Sequence, residues 1–67
     1  MKIGTRVRLD NYPAIDEVPI GSLGTVIGLA ALGFVKVKMD DDEYNVASPG
    51  DFALFYESEL EVIDEAA

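Results

Sequence analysis

The chain has 67 residues, enough for one small domain, and contains neither cysteine nor histidine. Disulfide and Cys/His zinc staples are therefore excluded, as are thiol nucleophiles and imidazole acid–base catalysis. Five Lys and Arg stand against 13 Asp and Glu, a formal charge of −8, which opposes contact with nucleic-acid phosphate and anionic lipid.

Thr5 to Asp10 alternates apolar with polar residues, which predicts a strand near 5–10 with Val7 and Leu9 on one face and Arg6 and Arg8 on the other. Pro13 has no N–H to donate and ends it. Residues 11–22, with two prolines and Gly21, read as a long loop. Leu23 to Leu29 is β-branched and apolar and predicts a strand over 23–29, with Gly24 and Gly28 marking bends or bulges. Ala30 to Gly33 is a turn in which Gly33 takes positive φ, the alternative being one helical turn over 29–32. Phe34 to Met39 predicts a strand over 34–39, with Val35, Val37 and Met39 facing one way and Lys36 and Lys38 the other.

The run Asp40-Asp41-Asp42-Glu43 opposes a continuing ladder. It fails as an EF-hand loop, since the sixth and twelfth residues counted from Asp40 are Asn45 and Asp51 rather than Gly and Glu. A solvated turn is the simpler reading. Tyr44 to Ala47 is the weakest strand signal, and Ser48-Pro49-Gly50-Asp51 fits either a helix start or a turn. A strand follows near 52–56. A 3₁₀ turn near 57–59 leads to a last strand near 60–63. Short strands at this spacing predict an all-β fold, and closure of the sheet into a barrel would hide its edges.

The blocks Gly24-Thr25-Val26, Val35-Lys36-Val37-Lys38-Met39-Asp40 and Ser58-Glu59-Leu60-Glu61 resemble SH3-like small barrels of the KOW-related type, as found in short bacterial and bacteriophage proteins. The resemblance covers most of the chain. It implies a five-stranded SH3-like barrel spanning residues 1–67 and specifies no single function, because such barrels host unrelated activities. The chain departs from the family's nucleic-acid binders in its low basic content and from peptide-binding SH3 domains in its lack of tryptophan.

Two surfaces are candidates. On the strand near 52–56, Phe52, Leu54 and Tyr56 share one face, and Ala53 and Phe55 the other. A thin barrel cannot bury both. Phe52, Phe55 and Tyr56, joined by Tyr12 from the long loop, are the expected protein-binding residues, with Phe55 or its face-mates exposed. Arg6, Arg8, Lys36 and Lys38 form the alternative, a nucleic-acid face. The expectation is a non-enzymatic module that binds another protein or itself, with nucleic acid disfavoured. No catalytic residue, cofactor or metal is expected. The N-terminus lacks the apolar stretch of a signal peptide and no segment reaches the ~20 apolar residues of a membrane span, so the expected compartment is the cytoplasm.

Overall fold

A computed structural model describes residues 1–45 and 52–66. The strands are β1 (Arg6–Leu9), β2 (Leu23–Leu29), β3 (Phe34–Met39), β4 (Ala53–Tyr56) and β5 (Leu60–Asp64). All neighbouring pairs are antiparallel, in the order β4-β3-β2-β1-β5. Short 3₁₀ turns occupy Ala31–Gly33, Asp42–Tyr44 and Glu57–Glu59. The expected strand at Tyr44 to Ala47 is corrected at its start: Tyr44 lies in a 3₁₀ turn and Asn45 outside any strand. Val46, Ala47 and the Ser48–Asp51 segment lie outside the described residues.

The inward face carries the core, made of Val7, Leu9, Val26, Val35, Val37, Met39, Ala53 and Phe55 with Val18 from the long loop. Alternation set the facing of β1 and β3, while Val18, in a stretch read only as loop, closes the core from one side. Gly24 is required by close approach rather than by a bend: a Cβ there would lie 2.6 Å from Val37 Cγ1 and 2.9 Å from the Lys38 carbonyl oxygen. The expected bulge near Gly28 is present as a register shift between Val26 and Gly28.

β4 and β5 are the two edges, and no ladder joins them among the described residues, so the five strands form one open sheet. In a flat sheet, four spacings of ~4.8 Å would put the edges about 19 Å apart. The turn Glu57–Glu59 joins them directly, and a 3₁₀ turn rises only ~2 Å per residue. The sheet therefore curls until its edges meet at this corner.

Side chains take the place of a closing ladder. Asp16 Oδ2 accepts from Leu54 N–H at 2.8 Å. Glu59 Oε1 accepts from Tyr56 N–H at 2.8 Å and Glu59 Oε2 from Ala14 N–H at 2.9 Å. These carboxylates occupy donors on β4 that another strand would need. A bulge near the Arg6/Val7 step interrupts the β1–β5 ladder at the other edge.

The β2–β3 connection places Leu32 (φ 64°) and Gly33 (φ 80°) consecutively at positive φ, and Phe34 N–H donates to the Ala31 carbonyl. That is the type I′ arrangement suited to a twisted hairpin. Gly33 fits it; Leu32 is strained there and 88% exposed. Leu32→Asn should raise stability by about 0.5–1 kcal/mol in urea denaturation, since asparagine tolerates this region and no burial is lost. Glu59→Gln should have the opposite effect: an amide NH₂ replaces one acceptor, faces a backbone N–H and leaves a donor unpaired. The same measurement should show a loss of about 1–3 kcal/mol.

Candidate functional site

Residues 11–19 leave β1 and cross the open side of the core. Asn11 Oδ1 accepts from Tyr12 N–H at 3.0 Å. Glu59 then holds Ala14, Asp16 reaches β4, and Val18 enters the core, 5% exposed. These attachments fix the backbone that carries Tyr12, Pro13, Glu17 and Pro19.

Facing them is Tyr44. It belongs to the 3₁₀ turn Asp42–Tyr44, whose first turn is capped by Asp41 Oδ1 accepting from Glu43 N–H at 3.1 Å. The next residue, Asn45, is buried. Its Oδ1 accepts from Met39 N–H at 2.7 Å and its Nδ2 donates to the Met39 carbonyl at 3.0 Å. Met39 pairs with Gly24 of β2 on one side; on its other side this side-chain amide takes both of its backbone polar groups, and it locks the base of the Tyr44 turn.

Between these walls lies a cleft of about 370 Å³ lined by Tyr12, Pro13, Glu17, Val18, Pro19 and Tyr44. A second cleft of about 260 Å³, lined by Ser22, Leu23, Met39, Asp40 and Asp41, shares Tyr44. The two clefts adjoin through Tyr44, which lines both, and are treated together as one groove. Glu17 has no hydrogen-bond or ion-pair partner among the described residues.

The structure separates the expected protein-binding residues. Tyr12 lines the groove and is 82% exposed. Phe52 and Tyr56 lie on the outer side of the sheet: Lys36 Nζ sits 5.3 Å from the centroid of the Phe52 ring, and Tyr56 stacks on Phe34 with centroids 4.3 Å apart. Phe55 requires a correction. It is 0% exposed, because its register opposite Val35 turns it to the core, so the Ala53/Phe55 face is the buried one. Tyr44, in the groove, escaped the sequence reading, and Glu17 was not expected as a binding residue. A signal for Tyr44 was available, since Asp41 is a good cap for a turn and an asparagine follows the tyrosine.

Arg6, Arg8, Lys36 and Lys38 do share the outer face. Arg6 donates to Thr25 Oγ1 at 2.8 Å and forms a bidentate pair with Asp40, both contacts 2.7 Å. Arg8 pairs with Glu61 and more loosely, at 3.8 Å, with Asp10. Lys38 Nζ lies 3.7 Å from Asp42, and Lys36 covers Phe52. The acidic run is likewise engaged, through Asp40 with Arg6, Asp41 as a cap and Asp42 with Asn45. Among the described residues no acidic group forms a metal-holding cluster, and no helix is long and apolar enough to cross a membrane.

No protein-family model matches the chain, and no curated protein or solved structure matches it significantly.

The Arg6 hydrogen bonds hold the Asp40 carboxyl below its ordinary 3.8; burial opposes them, and the Arg6 charge adds a smaller lowering effect. A lowered folded value means that the pair stabilises fully above the ordinary carboxylate range and loses that contribution as pH falls through the folded value. Asp40→Asn should therefore lower the melting temperature modestly at neutral pH. The difference should shrink in high salt, because the pair is half-exposed, and vanish once pH falls below the lowered folded value of Asp40. Thermal melts of the two proteins across pH check this.

Proposed function

We propose that this protein is a non-enzymatic protein-interaction module with an SH3-like strand arrangement in an open, curled sheet, and with the Tyr12–Tyr44 groove as its contact surface. The strand order and the 3₁₀ turn between β4 and β5 support the SH3-like reading. The groove carries the functional one. It presents exposed tyrosine and proline surface on a loop fixed at Ala14, Asp16 and Val18, and rigid aromatics give contact area at little entropic cost. The sequence supports a binding role over catalysis, having neither histidine nor cysteine.

The partner is a different protein rather than a second copy paired edge to edge, since carboxylates occupy the β4 donors and a bulge breaks the β1–β5 ladder. Nucleic-acid association through Arg6, Arg8, Lys36 and Lys38 has less support, because three of these are ion-paired and Lys36 covers Phe52.

Crosslinking in the organism that encodes the protein distinguishes the two surfaces. Tyr12→Ala should abolish the recovered protein partners, while Arg8→Glu should retain them. Labelled duplex DNA and RNA should bind no more tightly than the ~10⁻⁴–10⁻⁶ M of non-specific binders. Loss of partners with Arg8→Glu, together with tighter, salt-sensitive nucleic-acid binding, would transfer the function to the outer face.

A further inference from the structure

The lining of the groove narrows the chemistry of what it receives. Pro13 and Pro19 have no N–H to donate. Tyr12 and Tyr44 contribute aromatic rings to the lining, and the faces of such rings carry negative potential. Glu17 is an acceptor with no partner among the described residues, and across Tyr44 the second cleft adds Asp41, with one oxygen on Glu43 N–H. Apart from the phenol hydroxyls, the polar features of the first cleft therefore favour a donor or a cation. The rest of the protein reinforces this: its charge is −8, and Arg6, Arg8, Lys36 and Lys38 are engaged on the outer face of the sheet.

We propose that the groove binds an extended segment of a partner protein carrying arginine or lysine between apolar residues. One cationic side chain packs among Tyr12, Tyr44 and Glu17. The segment then crosses Tyr44, so that a second cation reaches Asp41 beside the apolar surface of Leu23 and Met39. This assignment rests on reading the chain as a protein-interaction module and adds the class of partner. Two observations favour an extended segment over a free small cation. The first cleft is open, with Tyr12 82% exposed, and a second cleft adjoins it through the shared Tyr44.

The probe is a fluorescein-labelled peptide amide, Gly-Val-Arg-Val-Arg-Val-Gly, compared in anisotropy titrations with the same peptide carrying citrulline, which keeps the shape and removes the charge. The arginine peptide should bind at least tenfold more tightly, about 1.4 kcal/mol. Tyr12→Ala should weaken it by about tenfold and Glu17→Gln by about fivefold, in the range of hot-spot truncations. Both side chains are exposed, so melting temperatures should not change. Glu57→Gln removes the same charge outside the lining and should leave affinity unchanged. Equal binding of the arginine and citrulline peptides, both lost in Tyr12→Ala, would overturn the cationic assignment while leaving the groove a protein-binding site. Arginine-peptide binding that falls as much in Glu57→Gln as in Glu17→Gln would reduce the effect to bulk charge and overturn the site. Absence of binding to the arginine peptide would overturn the proposal as well.

Discussion

The carboxylate of Glu59 holds the first loop and the corner after β4 in one place. One oxygen takes the N–H of Tyr56, where β4 ends, and the other takes the N–H of Ala14 in the first loop. The backbone oxygen of the same residue accepts from Asp10 N–H at 2.9 Å. A carboxylate that is 8% exposed is tolerated only where donors replace its lost water, so the corner and the loop have to arrive together. The curl of the sheet, the capped edge and the wall of the groove all follow from that requirement.

The same economy runs through the chain. Asp16 and Asp41, like Glu59, accept from backbone N–H groups that regular structure leaves without partners, and Asn45 serves both polar groups of Met39. A small domain with no disulfide to constrain it must satisfy loose backbone groups in some other way. Here short acidic and amide side chains do so, and part of the acid excess is structural rather than decorative. Glu17, in the groove, stands outside this pattern, with no partner among the described residues.

β3 was legible in the sequence to the residue from its alternation, β2 likewise from its β-branched apolar content, and so was the positive φ of Gly33. Alternation also divided β4 correctly into two faces. It could not say which face meets the core, because Phe52, Leu54 and Tyr56 form as apolar a set as Ala53 and Phe55, and cross-strand register with β3 decides the matter. Tyr44 was hidden for a related reason: its local preference is for strand, and the Asp41 cap with the Asn45 amide overrides it. Openness of the sheet was not legible either. It depends on contacts such as Asp16 with Leu54, 38 residues apart, which no periodicity encodes. The groove draws its walls from residues 12–19 and 44, and only the folded topology unites them.

The link between Ala14 and Glu59, 45 residues apart, also sets an order of events. Contacts of such long range form after local hairpins, because the closure entropy of the intervening chain must first be overcome. β2 and β3 can pair as soon as their tight turn exists, whereas the first loop has no anchor at Ala14 until the corner after β4 has been made. The Tyr12 wall therefore matures late on the folding path. Incompletely folded molecules, and nascent chains short of residue 59, lack that anchor of the groove, so the groove takes its shape only as the fold is completed.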